Sequence, residues 1–429
     1  MTAMRGTAGG GADVDVNMDL DVVVVGAGAS GLACTADLLA AGLRVRLLEA
    51  GDAVGGRMRT DRIGGFTLDR GFQVFNTSYP QVKRRLDLKA LGLRPFTAGL
   101  LVHTSDGPRR FTDPTRRSGG HGGGPLAVGG LSARDVAALG LLSARDVLAP
   151  AAWLRRRSDA TTATALADAG LSADLVENVL RPFLSGVFLE DDLETSARFF
   201  HLVWRSMLRG TLCLPADGIG AVPAQLAARL PDGVLRTGAR VASLTSGGVA
   251  LADGGELSAR TVVVATGQSA AAGLVPGLDV PRGRTVTTLY HAAARSPLAE
   301  PTLVVDERRR FLNSCVLTEV HPGFADDGRA LVSTSVLGAP GPAEVAAVET
   351  ALGEAYGTDV SSWEAVHRVT VRDALPAMPP PLALTRTTRF GPGRYVCGDH
   401  RATGSLQGAL ASGTRAAREV LADLRADAG

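Results

Sequence analysis

The stretch DVVVVGAGASG, at residues 21–31, decides the fold of this 429-residue chain. Its four valines predict a strand that is buried on both faces, and the apolar periodicity of residues 32–41 predicts the helix that follows. A second apolar run at residues 45–48 predicts another strand, which ends at Glu49. The order strand, helix, strand within about 30 residues is typical of a Rossmann unit, so we predict an α/β fold of that type.

The glycines between the first strand and the helix predict how this unit binds a nucleotide. Gly26 permits a tight turn, Gly28 lets the backbone approach a pyrophosphate, and Gly31 lets the helix pack closely on the strand. Ala29 and Ser30 lie in this turn, just before the predicted helix, whose free N–H groups and positive dipole end favour phosphate. A glycine-rich turn without a ligand is the less favoured interpretation in this context of strand and helix.

An acidic residue and a second pair of glycines extend the predicted nucleotide site. Glu49 is placed to accept hydrogen bonds from a ribose diol, and Ala50 lies next to it. Gly55 and Gly56 would let the backbone pass beside the diphosphate, while Arg57 offers several donors to phosphate or flavin oxygens. Here the sequence resembles the FAD-dependent amine oxidase superfamily, which includes amine oxidases, protoporphyrinogen oxidases and phytoene desaturases.

Segments in the first third and the middle of the chain are similar to the same superfamily. Residues 65–73, GFTLDRGFQ, resemble the family segment that runs along the flavin. Residues 261–267 resemble the strand that ends in A-T-G in these flavoproteins. The resemblance also implies that Val241 makes a backbone contact to adenine.

A further match lies near the C-terminus. Gly398 and Asp399 are followed by GSLQGALASG at residues 404–413, which looks like the family's C-terminal signature. The resemblance implies that Asp399 accepts a hydrogen bond from a ribityl hydroxyl. Ser405 belongs to the same predicted cofactor site, and N–H groups near Leu406 and Gln407, at a helix start, would stabilise negative charge on the reduced flavin.

This resemblance implies a Rossmann-type discontinuous FAD-binding domain with an inserted α+β substrate domain. We expect residues 1–18 to form a flexible leader before the first strand. The expected FAD-binding domain takes residues 19–75, 215–284 and 385–429. The expected substrate-binding domain takes residues 76–214 and 285–384.

Local patterns predict some elements of the substrate domain. Four candidate strands at residues 285–338 alternate between apolar and polar side chains, which indicates an antiparallel sheet. Residues 105–130, rich in Gly, Pro, Ser and Arg, are interpreted as a long surface loop. The aromatic stripe expected on a helix at residues 196–208 is interpreted as facing the core rather than a ligand cavity.

Several features separate the chain from the amine oxidases it resembles. Its only lysines are Lys83 and Lys89, whereas amine oxidases of the superfamily usually carry a lysine near flavin N5, on a strand equivalent to residues 285–291. An aromatic pair that would sandwich an amine is not evident before Gly398. Cys397 does not fall at the position that carries covalent flavin in some members, so we expect noncovalent FAD.

The sequence therefore predicts an FAD-dependent oxidoreductase that removes a hydride, or two electrons, from an apolar small molecule, as desaturases and dehydrogenases do. Catalytic residues are left unassigned, because the cofactor can carry the chemistry while the protein positions the substrate and excludes water. An amine oxidase that releases hydrogen peroxide and an isomerase that uses reduced FAD stay open as alternatives. So does a noncatalytic flavin-bound partner protein, and the electron acceptor, oxygen or another, is not indicated.

Composition argues against several other functions. The chain has 45 basic and 43 acidic side chains, and the resulting charge of +2 is too small for the basic field of a nucleic-acid-binding protein. The four cysteines form no C-x-x-C pair and the histidines show no metal-ligand spacing, so we predict no metal site and a reducing, cytoplasmic location.

The sequence argues against a membrane span but leaves a peripheral membrane contact open. No apolar run reaches the ~18 residues that predict a membrane span. Apolar residues at 147–154 precede Arg155, Arg156 and Arg157, which leaves a peripheral membrane contact open. A helix end with solvated arginines is the favoured interpretation of that segment.

Overall fold

A computed structural model of the protein describes residues 20–112 and 131–427. The expected leader at residues 1–18 lies outside these ranges, as do residues 113–130 of the expected loop. None of the helices in the described ranges is long and apolar enough to cross a membrane.

The elements of the described residues run in the following chain order. The strands are β1 (Leu20–Val25), β2 (Val45–Leu48), β3 (Thr60–Ile63), β4 (Phe66–Asp69), β5 (Phe75–Asn76), β6 (Arg94–Pro95), β7 (Gly99–Thr104), β8 (Gly107–Thr112), β9 (Leu212–Leu214), β10 (Leu235–Arg236), β11 (Val241–Thr245), β12 (Gly248–Leu251), β13 (Glu256–Val264), β14 (Gly283–Ala293), β15 (Leu303–Asp306), β16 (Asn313–Val316), β17 (Ala330–Leu337), β18 (Glu364–Pro376) and β19 (Arg394–Val396). The α-helices are α1 (Ala29–Ala40), α2 (Pro80–Arg85), α3 (Ala133–Leu148), α4 (Ala151–Arg156), α5 (Thr162–Asp168), α6 (Ala173–Leu175), α7 (Arg181–Phe188), α8 (Ala197–Arg209), α9 (Ala221–Ala227), α10 (Gln268–Leu274), α11 (Leu317–Val320), α12 (Pro342–Tyr356) and α13 (Leu406–Ala426).

The first sheet is built around five parallel strands in the order β10, β2, β1, β13, β19. The valines of β1 are buried, as expected for a strand that is covered on both faces. Val25 lies opposite Leu48 on one side and Val264 on the other, and Val264 lies opposite Val396. The first half of β13 continues the sheet in antiparallel fashion through β12 and β11.

This register brings the carboxyl ends of β2, β1, β13 and β19 to one edge of the sheet. Gly26 follows β1, Glu49 follows β2, and Gly398 lies two residues beyond β19. Ligands of open parallel sheets bind outside the carboxyl ends of the strands. The fold therefore gathers the predicted nucleotide-binding residues at the edge where a nucleotide would bind.

A second sheet has the order β18, β14, β17, β16, β15, β7, β8. All its neighbouring strands are antiparallel except β15 and β7, which run parallel. The apolar side chains of β7 and β15 pack against helices α3, α7 and α8 in one cluster. In that cluster Phe199, Phe200 and Val203 of α8 are buried, which confirms the core-facing interpretation of the aromatic stripe.

The structure confirms the α/β class and the sequence prediction of β2 residue for residue. The antiparallel sheet expected at residues 285–338 is present as β14 to β17, but two of its neighbours, the β7–β8 hairpin and β18, were not predicted. The expectation of a loop was wrong at Gly107–Thr112, which is β8: its backbone pairs with β7 although its sequence has little apolar alternation. The boundaries of the two domains stay a prediction.

Candidate functional site

The turn after β1 has the geometry that its glycines predict. Gly26 has a φ of +102°, in the region that favours glycine. A Cβ on Gly31 would lie 1.9 Å from the carbonyl oxygen of Gly26, so only glycine lets α1 start this close to the turn. At Gly28, in contrast, no described heavy atom lies within 4 Å of a Cβ position. Ala29 and Ser30 form the first turn of α1, which contains no acidic side chain to compete with a bound phosphate.

Glu49 holds this turn in place. One carboxylate oxygen accepts a hydrogen bond from the Ala27 N–H at 2.8 Å, and the other accepts from the Gly51 N–H at 2.9 Å. The side chain is half-buried and Ala50 beside it is exposed. A carboxylate has about four acceptor positions, so two remain for a ribose diol.

The second glycine pair lies against the first turn. The Gly55 N–H donates to the Ala27 carbonyl at 2.9 Å, and a Cβ on Gly56 would lie 3.6 Å from the Gly28 Cα. Both residues have positive φ, at +117° and +60°. Two stretches of bare backbone therefore meet at Gly28, which is the surface that a diphosphate requires. The residues present fit a dinucleotide.

Arg57 joins this site to the second sheet. Its guanidinium donates to an Asp399 carboxylate oxygen at 2.7 Å, and also to the carbonyl of Ala374 in β18 at 2.7 Å. The Asp399 side chain is 8% exposed and that of Arg57 is 34% exposed. The Asp399 charge raises the pKa of Arg57, so the guanidinium is charged at neutral pH. The predicted contacts of both residues to a flavin would add to this pairing.

Removal of Arg57 is expected to leave a nearly buried carboxylate without its cation. We expect Arg57→Ala to lower the free energy of unfolding by about 2 kcal/mol, less than for a fully buried pair because the guanidinium is partly solvated. Urea unfolding of Arg57→Ala, Asp399→Ala and the double variant measures this. The control is Arg59→Ala, whose partner Asp52 is 84% exposed, so little loss of stability is expected. Additive losses in the double variant would contradict the pairing.

His400 is an unexpected feature next to Asp399. The imidazole is 1% exposed, and neither ring nitrogen has a hydrogen-bond partner among the described residues. Burial lowers its pKa to about 4, so the ring is neutral at pH 7. The ring, together with Asp399 and Met378, lines a cavity of about 20 Å³, which is enough for a water molecule. A Cβ on Gly398 would lie 2.4 Å from the His400 ring, which explains the glycine at that position.

The C-terminal helix α13 begins where the sequence predicts. Ser405 is its N-cap, and the hydroxyl accepts a hydrogen bond from the Gly408 N–H at 3.1 Å. Leu406 is the first helical residue, so its N–H belongs to the free set at a helix start. Gln407 accepts from the Gln81 N–H of α2 at 2.9 Å, which ties this start to a distant helix.

Val241, the predicted adenine contact, begins β11 and is half-buried. The residues just before it pair with the end of β2: the Ala239 N–H donates to the Glu49 carbonyl at 2.8 Å, and the Gly238 N–H donates to the Gly51 carbonyl at 2.8 Å. This pairing places the start of β11 beside the predicted ribose-binding carboxylate.

The segment at residues 65–73 is hydrogen-bonded to β14 of the second sheet. Tyr290 of β14 donates its hydroxyl to the Asp69 carbonyl at 2.7 Å, and the Phe72 N–H donates to the Thr288 hydroxyl at 3.2 Å. The Asp69 carboxylate accepts from the Thr60 hydroxyl at 2.6 Å and from the Ile219 N–H at 2.9 Å. Burial nevertheless raises the pKa of Asp69 to about 6.

The raised pKa of Asp69 predicts a change of stability with pH. The native state keeps this proton up to about pH 6, whereas the unfolded chain releases it near 3.8. The native state therefore binds more protons in this interval, and the contribution of Asp69 to the free energy of unfolding falls as the pH rises through it, by up to about 3 kcal/mol.

Asp69→Asn removes this contribution and tests it. Urea unfolding at pH 4 and pH 7 should show that the stability of the parent relative to the variant decreases at the higher pH. The exposed Asp326→Asn variant serves as the control. If the free energies of unfolding of the parent and Asp69→Asn differed by the same amount at pH 4 and pH 7, the raised pKa of Asp69 would be contradicted.

Sequence reasoning found the glycines and acids of the site but missed its long-range partners. The carbonyls of β18 that receive Arg57 are main-chain groups, and no side-chain signal identifies them. No sequence signal indicates that His400, beside Asp399, is buried. Within residues 20–112 and 131–427, no three His, Cys, Asp or Glu side chains come together in a way that could hold a metal ion.

A parallel sheet with a glycine turn and two acids at its carboxyl edge defines a dinucleotide-binding α/β protein. The chain belongs to the family described as flavin containing amine oxidoreductase, whose sequence profile matches residues 29–421. It is therefore a flavin-containing oxidoreductase. A search of curated proteins finds no match.

Solved structures show the same fold at low sequence identity. A protein assigned as a protoporphyrinogen oxidase, from Exiguobacterium sp. 255-15, has 19% identity and a TM-score of 0.70, with 95% of this chain and 99% of that chain covered. Cyclohexylamine oxidase from Brevibacterium oxydans IH-35A has 18% identity and a TM-score of 0.69 over 95% and 100%. A putrescine oxidase bound to putrescine has 19% identity and a TM-score of 0.67 over 94% and 99%.

Proposed function

We propose that the protein binds FAD noncovalently and removes a hydride, or two electrons, from an apolar small molecule. FAD, when bound, supplies the acceptor for those electrons. The proposed contacts are backbone at Gly26, Gly28 and Gly56 for the diphosphate, Glu49 for the ribose, and Asp399 for the ribityl chain. The free N–H groups at the start of α13 would lie against the flavin ring.

One observation carries the choice of substrate class. Strand β14, which is hydrogen-bonded to the segment proposed to run along the flavin, presents Thr288 and Tyr290 there and contains no lysine. Lys83 lies in α2 and Lys89 follows it, so neither belongs to this strand. A strand without an amine group offers no ammonium to hold a water molecule, which favours dehydrogenation of a carbon chain over amine oxidation.

The neighbouring side chains support an apolar substrate. Phe72 and Phe96 contact each other edge to face, with ring centroids 6.1 Å apart, and both are only half-buried. Val74, close by in sequence, is 37% exposed. Partly exposed aromatic rings beside the proposed flavin segment provide the apolar wall that such a substrate would contact.

Anaerobic mixing with three substrate classes tests this proposal. A conjugated alkene or a porphyrin-like compound should bleach the visible flavin absorption, and primary amines should not. Peroxide release on addition of an amine in air would support an amine oxidase instead. Turnover that requires chemical reduction of the flavin beforehand would support an isomerase. Flavin-free protein is the control in each case.

We also propose that the protein works in the cytoplasm as two domains with the boundaries expected above. All four cysteines are free and buried, which suits a reducing compartment. Burial raises the pKa of Cys397 to about 12, so this thiol stays protonated and does not act as a nucleophile.

A further inference from the structure

Helix α3 packs Leu142 in the core cluster, but it also buries both of its carboxylates and exposes other leucines. Its two carboxylates, Asp135 and Asp146, are 3% and 0% exposed. Two of its leucines, Leu141 and Leu148, are 73% and 81% exposed. An ordinary surface helix buries its apolar stripe and exposes its charges, so this orientation requires a cause.

The buried aspartates fix the orientation. The Asp135 carboxylate accepts hydrogen bonds from the Ser172 N–H at 2.8 Å and hydroxyl at 2.9 Å, and these contacts lower the pKa of Asp135. The Asp146 carboxylate lies 2.8 Å from His201 Nδ1 of α8 and also pairs with Arg145. Breaking either set would leave a buried carboxylate without partners, so the helix is held with Leu141 and Leu148 outward.

The outward side of α3 forms a continuous apolar stripe. Its members recur at helical spacing and are exposed: Ala133, Ala137, Gly140, Leu141, Ala144 and Leu148. Together with Trp153 of α4, which is 48% exposed, we call these residues the outer face. Large apolar side chains clustered on one exposed face mark a surface that binds something.

The exposed charged side chains of residues 131–158, which contain the outer face, are all positive. Arg155 and Arg156 are exposed at the end of α4, and the Arg157 guanidinium lies 5.0 Å from the centre of the Trp153 ring. In residues 131–158 the acidic side chains are the two buried aspartates of α3 alone. The outer face therefore presents leucine, tryptophan and arginine without an exposed carboxylate.

We propose that the outer face docks the protein onto an anionic phospholipid membrane. Leu141, Leu148 and Trp153 would enter the boundary between headgroups and acyl chains, and the arginines would contact phosphate groups. A second copy of the chain is a poorer occupant, because a symmetric contact would oppose two arginine clusters with no acid between them. When the protein is not bound to a membrane, these arginines are solvated at a helix end, which is the interpretation that the sequence favours. The proposal does not depend on bound flavin.

Vesicle co-sedimentation of the holoprotein tests the docking. Binding is expected to vesicles of phosphatidylcholine with phosphatidylglycerol, and to be much weaker with phosphatidylcholine alone or at high salt. Leu141→Glu/Leu148→Glu should reduce partitioning at least about tenfold, and Arg155→Gln/Arg156→Gln should remove the preference for anionic lipid. Leu337→Glu, at an exposed leucine of β17, is the matched control and should bind like the parent.

Two further readouts separate docking from its rivals. The emission of Trp153 should shift to shorter wavelength with anionic vesicles, and this shift should be lost in Trp153→Phe while flavin content and circular dichroism stay unchanged. Failure of the parent to sediment with anionic vesicles would overturn the proposal. So would gel filtration that shows a dimer which Leu141→Glu/Leu148→Glu converts to a monomer.

Discussion

Gly28→Ala is expected to fold like the parent protein and to purify with little or no flavin. Gly28 has φ −74° and ψ 179°, which alanine adopts without strain, and no described heavy atom lies within 4 Å of the new methyl group. The methyl group would instead occupy the space between the two glycine stretches where the diphosphate is proposed. An overpacking cost of about 1–3 kcal/mol corresponds to flavin affinity that is about 5 to 150 times weaker.

The measurement is titration of flavin-free protein with FAD, followed by fluorescence, alongside urea unfolding without cofactor. Gly247→Ala is the matched control, because Gly247, in the turn between β11 and β12, also lacks a positive φ and has open space at its Cβ. This variant should bind FAD as the parent does. If Gly28→Ala bound FAD with parental affinity, the diphosphate would lie elsewhere. If Gly28→Ala were less stable than the parent without cofactor, the space at the Gly28 Cβ would not be open as the structure shows.

Gly31→Ala is expected to produce the opposite outcome, a large loss of stability. Its methyl group would lie 1.9 Å from the Gly26 carbonyl oxygen and 3.3 Å from the Ala265 Cβ. The first of these atoms belongs to the backbone of the turn and cannot rotate away, so α1 or the turn must move. We expect the free energy of unfolding to fall by about 3 kcal/mol or more, with loss of flavin as a consequence.

Urea unfolding of the flavin-free protein measures this effect directly. Gly273→Ala, in the last turn of α10 with open space at its Cβ, is the control and should be neutral or more stable by up to about 0.5–1 kcal/mol. A Gly31→Ala variant as stable as the parent would mean that the turn tolerates a shift of α1. The close packing of α1 on β1 would then not explain the third glycine.

The sequence predicts those features of the candidate site that depend on interactions between residues close together in the chain. The strand, turn and helix at residues 20–40 are specified by four valines, three glycines and one apolar period. Glu49 follows the next strand, and because that strand pairs in parallel with β1, Glu49 lies close to the glycine turn. Each of these signals is complete within about 30 residues, which is why the prediction matched the structure.

The remaining features depend on contacts between distant segments. Arg57 reaches the carbonyls of β18 more than 300 positions along the chain, at Asp373 and Ala374. The orientation of α3 depends on Ser172 and His201, whose roles emerge only when the helices pack. Hydrophobicity alone would place Leu141 inward, whereas the partners of the buried aspartates hold Leu141 outward.

The central claim is that this chain holds FAD noncovalently at the carboxyl edge of its parallel sheet. The most direct test is the absorption spectrum of the purified protein, followed by heat denaturation and identification of what enters the supernatant. We predict a flavin spectrum and complete release of FAD into the supernatant. Flavin that stays with the precipitate would contradict noncovalent binding, and colourless protein that does not bind added FAD would contradict the claim itself.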